Sequence, residues 1–142
     1  MLEPEALAAY EANSGNVVQH TGFLSHDGLM IGCSLDGHVG DFDGLVEVKA
    51  PRPANHWKYL KSGGLPSEHR IQSIHNLFVT GARYAHFCSF APDFPPSLRL
   101  FRVHVERNQA EVDSYALLLQ QFLREVEAEY AEIERMAGVV VA

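Results

Sequence analysis

The feature that most constrains the fold is an apolar run that two unlike charges interrupt. Residues 45–50 read Leu-Val-Glu-Val-Lys-Ala, a pattern typical of a buried strand. Successive strand residues point to opposite faces, so Glu47 and Lys49 lie on one face and the two valines on the other. Charged side chains in such a strand indicate chemistry, because unpaired charges are rarely buried for packing alone.

A second carboxylate precedes this strand. Ten residues separate Asp36 from Glu47, and a turn lies between them. Taken separately, Asp36-Gly37 is typical of a turn, and Glu-x-Lys is typical of an edge strand with a solvated face. Together, two carboxylates and the Val48 carbonyl offer the hard oxygen ligands that Mg²⁺ or Mn²⁺ prefers, and Lys49 could position an attacking water. The combination favours a metal-dependent phosphodiesterase.

Composition and charge limit the partners. The chain has 142 residues and a net charge of -7, and no apolar run reaches the length of a membrane span. The charge is uneven, because residues 49–70 are basic and residues from 109 onward are acidic, which leaves a local field for phosphates. Cys33 and Cys88 are typical of small core residues in a reducing compartment. We therefore expect a cytoplasmic protein with no membrane partner.

Periodicity and turn residues predict one domain over residues 1–142, with the order α, three strands, α, α, β, β, α. This order favours the α/β (α+β) class, a central mixed sheet flanked by helices. Ser67 is a plausible N-cap, and Gly63 and Gly81 are placed to end helices. The predicted helices are 3–12, 54–62, 67 to 78 or 80, and 109 to about 137. The predicted strands are 17–21, 29–34, 45–50, 84–90 and 98–105.

The long C-terminal helix carries an apolar stripe at alternating steps of three and four residues. We expect this stripe to pack on the sheet, in preference to forming a coiled-coil seam. Its members are Val112, Tyr115, Leu119, Phe122, Val126, Tyr130, Ile133 and Met136.

The spacing Asp36-x10-Glu47-Val48-Lys49 on a β-hairpin resembles the PD-(D/E)XK nuclease pattern. The wider string, with Pro51, Gln72 and Phe-Val-Thr-Gly at 78–81, is similar to the YqaJ-type viral recombinase family, which includes phage lambda exonuclease. The resemblance extends from Glu3 to about residue 105. It implies a restriction-endonuclease-like core and a Mg²⁺-dependent deoxyribonuclease, with Mn²⁺ as a substitute, that degrades double-stranded DNA ends in the 5′ to 3′ direction.

The resemblance also assigns roles to numbered positions. The implied metal ligands are Glu3, Asp36, Glu47 and the carbonyl of Val48. The implied catalytic residues are Asp36, Glu47, Lys49 and Gln72. A further acidic position of the family falls near Asp27 or, less well, His26.

Two departures from the family pattern accompany this resemblance. Leu35 stands where the family has proline, and we expect this to cost stiffness and not chemistry. The family's N-terminal helical segment would precede Glu3, and we expect this chain to lack it. Two alternatives stay open: a RecB-like or restriction-type nuclease of the same fold, and a catalytically inactive DNA-binding fragment.

The basic segment supplies the candidate DNA contacts, which are Arg52, Lys58, Lys61 and Arg70. Trp57 and Tyr59 could stack on an unpaired base. Alternatively, Trp57 and Leu60 form the inner face of a short helix. The family resemblance further suggests a single-strand annealing protein as a partner and a ring-shaped homotrimer.

Overall fold

The computed structural model describes residues 2–138 and confirms the mixed α+β class. Its helices are α1 (Glu3–Ser14), α2 (Pro53–Ser62), α3 (Ser67–Thr80) and α4 (Gln109–Met136). Its strands are β1 (Val18–Gln19), β2 (Leu24–Ser25), β3 (Gly32–Cys33), β4 (Gly37–Val39), β5 (Gly44–Lys49), β6 (Tyr84–Phe90) and β7 (Leu100–Glu106). The described residues form two compact units that divide after Asn108. The assignment of residues 1–142 to a single domain stays a prediction. Residue 1 and residues 139–142 of this range lie outside the described ones.

The main sheet has the strand order β1-β4-β5-β6-β7. Strand β5 is antiparallel to β4 and parallel to β6, and β6 is antiparallel to β7. Helices α2 and α3 form the crossover that a parallel pair requires. Because β5 has a paired strand on each side, its backbone groups are satisfied and its residues from Gly44 to Val48 are buried.

The structure corrects the predicted strand over residues 29–34. Of residues 29–34 only β3 is extended, and it pairs with β2 in a separate two-stranded sheet. The partner of β5 is β4, which begins at Gly37, a residue whose sequence indicates a turn. Gly37 is paired with Val46 in the strand, and the position requires glycine because a side chain there would collide with Val18 of the neighbouring β1.

The sequence predicts the C-terminal ends of the helices better than the N-terminal end of α3. Gly15, Gly63 and Gly81 adopt left-handed φ values of 71–77° after α1, α2 and α3, as C-capping glycines do. The predicted N-cap at Ser67 is wrong, because Pro66 holds the N-cap position of α3 and no side chain caps it.

The sheet separates one apolar cluster on its first face from two on its second face. On one face, Val46 and Val48 pack with Ala6, Leu7 and Tyr10 of α1. On the other face, one cluster contains Leu45, Leu77 and Ala85, and a second contains Tyr59, Phe87 and Phe101. Glu47 and Lys49 share this second face, which α2 and α3 cover, so the charged side chains of β5 are turned away from α1.

A polar chain crosses the α1 face from the core to the surface. Tyr10 Oη lies 2.6 Å from His86 Nδ1, and His86 Nε2 lies 2.9 Å from His104 Nδ1. His104 Nε2 lies 2.7 Å from the carboxylate of Glu106. Because the carboxylate can only accept, both imidazoles donate through Nε2–H, and the Tyr10 hydroxyl donates to His86. The chain is therefore satisfied when both histidines are neutral.

Acid is expected to destabilise the protein through His86. Burial first, and then the charges of Arg102 and His104, lower the pKa of His86 to about 4, while Tyr10 and Tyr84 contact the ring. A lowered histidine pKa gives stability that is complete above pH 6.5 and is lost as pH falls towards 4, by up to about 3 kcal/mol. His86→Gln keeps one acceptor and one donor without titrating, so urea unfolding should show a shallower pH dependence.

The exposed His20 provides the matched control, His20→Gln, which should keep the wild-type slope. Identical slopes between pH 7 and 4 for the wild type and His86→Gln would contradict the assignment.

Helix α4 spans 28 residues and forms the second unit. Val112 of its apolar stripe is buried, whereas Phe122, Val126, Tyr130, Ile133 and Met136 are exposed. The prediction that this stripe packs on the sheet stays a prediction. Within residues 2–138, no helix has both the length and the apolar character of a membrane span.

Candidate active site

Asp36 is held against β5 by the backbone. The β4–β5 register pairs Gly37 with Val46. In an antiparallel pair the preceding residue, Asp36, therefore lies opposite the following one, Glu47. The N–H of Val48 donates to Asp36 Oδ2 at 2.8 Å. This bond is charge-assisted and fixes the carboxylate beside the strand that carries the other charged residues.

Glu47 is the buried carboxylate of the site. Its side chain is 8% exposed, and its Oε1 atom is buried without a hydrogen-bond partner among the described residues. Burial first, and then the negative charge of Asp36, raise the pKa of Glu47 to about 7, although Lys49 opposes the shift. The Glu47 carboxylate also raises the pKa of the buried Cys33 thiol, after burial itself. A buried, unpartnered carboxylate oxygen needs either a proton or a cation.

Lys49 lies at the end of β5 on the same face as Glu47 and is half-buried. Burial lowers the pKa of His69 on α3, and the positive charge of Lys49 lowers it further. The His69 ring stacks on Phe87, with 4.6 Å between ring centroids, and Phe87 is the β6 partner of Glu47. His69 is not among the site residues predicted from the sequence, although its position three residues before Gln72 puts it on the same helix face.

The donor set fits a divalent cation. Asp36 and Glu47 supply carboxylate oxygens, and the Val48 carbonyl is a third oxygen of the hard type. Within residues 2–138, no three His, Cys, Asp or Glu side chains form a group that could hold a metal ion. Glu3 therefore does not join Asp36 and Glu47 in such a group, and the remaining ligands would come from main-chain oxygen, water or a phosphate of the substrate.

The other predicted site residues are more dispersed. Glu3 is exposed and lines a separate cavity of about 370 Å³ with Glu11 and His20. Asp27 is exposed in the β2–β3 turn, and His26 stacks on Phe78 of α3 at 4.7 Å between centroids. The metal-binding roles of Glu3 and Asp27 stay predictions.

Gln72 lies on α3 and is exposed. The helix itself is anchored near the site, because His75 Nε2 lies 3.0 Å from the carbonyl oxygen of Gly32, next to Cys33. Gln72 is thus on a helix that borders the carboxylates, and its catalytic role stays a prediction.

The candidate DNA contacts lie on the surface. All four candidate residues are exposed: Arg52, Lys58, Lys61 and Arg70. Of the two aromatic candidates, Trp57 is 49% exposed and Tyr59 is buried against Phe87 and Phe101. Trp57 is therefore not part of the inner face of α2, whereas Leu60 packs against the buried Tyr59 cluster.

The sheet and the placement of its charged residues define the protein class. A mixed sheet carries Asp36 beside one strand of a hairpin and Glu47-x-Lys49 on the other, with two helices in the crossover to the next strand. This arrangement is the restriction-endonuclease-like core of the PD-(D/E)XK class, as the sequence indicates.

Comparisons with known proteins agree with this class. A family model for the YqaJ-like viral recombinase domain matches residues 1–83. An alkaline exonuclease (LHK-Exo) from Laribacter hongkongensis is 32% identical, with a TM-score of 0.90 over 96% of this chain and 71% of that chain. Its complex with dAMP gives a TM-score of 0.91 over 96% and 70% of the two chains. A phage related exonuclease from Haemophilus somnus shares the fold, with a TM-score of 0.68 over 93% of this chain and 70% of that chain. The two sequences are 13% identical.

The chain belongs to the YqaJ-like viral recombinase domain family. The family resemblance drawn from the Asp36–Lys49 segment is thus confirmed. Among curated proteins, no sequence matches the chain.

Proposed function

We propose that the protein is a divalent-metal-dependent exodeoxyribonuclease that degrades double-stranded DNA from its ends in the 5′ to 3′ direction. The coarser part of this statement, a nuclease that hydrolyses phosphodiester bonds, follows from the family and from 32% identity to an alkaline exonuclease over nearly the whole chain. The observation that carries the proposal is the buried Glu47 carboxylate beside Asp36 and Lys49, one oxygen of which has no hydrogen-bond partner within residues 2–138.

The metal requirement rests on electrostatics. Two carboxylates face each other across β4 and β5, and the Glu47 carboxyl has its pKa raised to about 7 by burial and by Asp36. A divalent cation, Mg²⁺ with Mn²⁺ as a substitute, would be held by Asp36, Glu47 and the Val48 carbonyl. When bound, such an ion neutralises charge on the scissile phosphate and lowers the pKa of a water molecule.

The side chains around the carboxylates have distinct tasks. The Lys49 ammonium group donates hydrogen bonds to the attacking water or to a phosphate oxygen, which stabilises the developing negative charge. Asp36 is kept in place by the Val48 N–H and so does not need to reorganise during the reaction. Water attacks phosphorus and gives up a proton to solvent, the bond from phosphorus to the 3′ oxygen of the deoxyribose breaks, and that oxygen takes up a proton from solvent, so that one water is consumed for each bond. Mononucleotides are released, and a 3′ overhang remains on the other strand.

The direct test is digestion of linear duplex DNA with Mg²⁺ and with EDTA, by the wild type and by Lys49→Met. We expect release of mononucleotides with Mg²⁺, none with EDTA, and a rate on the order of 10²-fold lower for Lys49→Met, since one stabilising donor is lost. Arg124→Met, which removes an exposed positive charge from α4, is the control and should hydrolyse DNA at a rate within a few-fold of wild type. Digestion that survives chelation, or full activity of Lys49→Met, would contradict the mechanism.

Substrate form and label position test the finer parts of the proposal. A covalently closed circular duplex should remain intact, because an end-dependent exonuclease has no end to enter; its cleavage would favour a RecB-like or restriction-type nuclease. A label at the 5′ end should be released before a label at the 3′ end. A cytoplasmic location, a single-strand annealing partner and a ring-shaped homotrimer belong to the same proposal.

A further inference from the structure

Helix α2 presents a tryptophan to solvent next to the proposed active site. Trp57 is the single tryptophan of the chain, and its side chain is 49% exposed. A half-exposed indole on a regular helix is unusual, because burial of such a ring is strongly favourable and tryptophan is highly buried on average. The exposed ring therefore indicates a partner that covers it.

The exposure does not come from a loose helix. His56, the preceding residue, is fully buried, with Nδ1 at 2.7 Å from Ser89 Oγ and Nε2 at 2.7 Å from the Leu98 carbonyl oxygen. Tyr59 is also buried, and its hydroxyl donates to Glu68 of α3 at 3.1 Å. The buried neighbours on both sides of Trp57 fix α2, so the indole is held on a rigid support.

The helix that carries the indole is cationic. Helix α2 contains no acidic residue, and the exposed Lys58 and Lys61 follow Trp57 by one and four residues. Lys61 Nζ lies 5.4 Å from the centroid of the Trp57 ring, within the range of a cation–π contact. Arg52 is exposed at the N-terminus of the same helix. An aromatic face beside fixed positive charges matches a polyanion that carries flat rings, which is an unpaired stretch of nucleic acid.

The helix also borders the carboxylate site. The ring centroid of Tyr59 lies 5.9 Å from that of Phe87, the β6 residue that is paired with Glu47. A DNA strand that enters or leaves the site would therefore pass close to α2. In a paired duplex the base faces are stacked on one another, so only a single-stranded segment can offer a base to the indole.

We propose that Trp57 is a stacking platform for an unpaired base of single-stranded DNA, and that Lys58 and Lys61 bind the adjoining phosphates. This inference rests on the proposed function, because the nuclease reaction on duplex ends generates the single-stranded segment. Stacking of this kind is tolerant of base sequence, since every base has a flat face.

The test uses the emission of Trp57 itself, in the full chain and with EDTA present so that no DNA is cleaved. A single-stranded oligodeoxynucleotide should quench this emission on binding, whereas an abasic oligonucleotide of equal length carries the same phosphates and should not quench it. A blunt duplex of equal length should quench it much less than the single strand does. Unchanged emission when the single strand is saturating, or equal quenching by the abasic strand, would overturn the proposal.

Affinity measured by anisotropy of a labelled single strand gives an independent readout. Trp57→Ala should weaken binding by roughly 5- to 100-fold, and Trp57→Phe, which keeps a ring, should restore most of the affinity. The abasic strand should bind the wild type and Trp57→Ala equally. Equal affinity of all three proteins for the normal strand would overturn the proposal. Duplex digestion with Mg²⁺ is scored separately, so base-dependent quenching by a protein that cleaves no DNA would refute the nuclease mechanism and leave the platform standing.

Discussion

Replacement of Asp36 by asparagine is expected to lower the rate of metal-dependent DNA hydrolysis by on the order of 10³-fold. The asparagine carbonyl oxygen can still accept the N–H of Val48, so the β4–β5 hairpin should keep its structure. The negative charge that would hold the cation is lost. The measurement is the initial rate of mononucleotide release from linear duplex DNA at saturating Mg²⁺, with circular dichroism to verify folding.

Asp41→Asn is the matched control for this variant. Asp41 lies in the turn between β4 and β5 and is exposed, so the change removes one carboxylate from the same hairpin. Its rate should remain within a few-fold of wild type. If Asp36→Asn retained wild-type activity while folding normally, the metal site would have to be assigned to other residues.

Glu47→Gln is expected to have opposite effects on activity and on stability. Hydrolysis should fall by a factor similar to that for Asp36→Asn, because a carboxylate ligand is lost. In contrast, at pH values above 7 the metal-free variant should have a higher free energy of unfolding than the metal-free wild type. The site carboxylate is thus predicted to weaken the fold that carries it, a known cost of functional residues.

The higher stability expected for Glu47→Gln follows from the pKa of Glu47, which burial and Asp36 raise to about 7. A raised carboxyl pKa gives stability that is complete below about 4.5 and is lost as pH rises through 7. At pH 8 the wild type must hold a buried negative charge, whereas glutamine is neutral. The difference corresponds to up to about 3 kcal/mol in favour of the variant at pH 8, and to almost nothing at pH 4.5.

Urea unfolding in EDTA at the two pH values measures this difference. Addition of Mg²⁺ at pH 8 should stabilise the wild type and have little effect on Glu47→Gln, because ligand binding stabilises only the form that binds it. Asp41→Asn again serves as the control for loss of an exposed charge. A variant less stable than wild type at pH 8 would show that the Glu47 carboxylate is already satisfied without a cation.

Local patterning accounts for the parts of the fold that the sequence predicts. Strand β5, the parallel partner β6 and the glycine ends of α2 and α3 are set by side-chain alternation, β-branched residues and left-handed φ values. The same alternation puts Glu47 and Lys49 on one face, so the centre of the site could be deduced before the structure.

Pairing between distant segments accounts for what the sequence misses. Gly37 belongs to a strand because β1 approaches it closely, and no local signal shows that approach. The β2–β3 pair has only two residues on each side, too few for periodicity to reveal. The exposure of the α4 stripe from Phe122 onward is equally invisible, since an amphipathic pattern shows which face is apolar and not whether anything covers it.

By itself, the sequence determined the chemical content of the site: two carboxylates, a carbonyl and a lysine at the spacing of a strand hairpin, within a recognisable nuclease family. Tertiary structure alone decided the environment of those groups. It buried Glu47, stacked His69 on Phe87, placed Glu3 in a cavity with Glu11 and His20, and exposed Trp57 on a fixed helix. The physical reason is that residue spacing sets the face on which a side chain lies, whereas burial and charge coupling depend on which distant elements pack against that face.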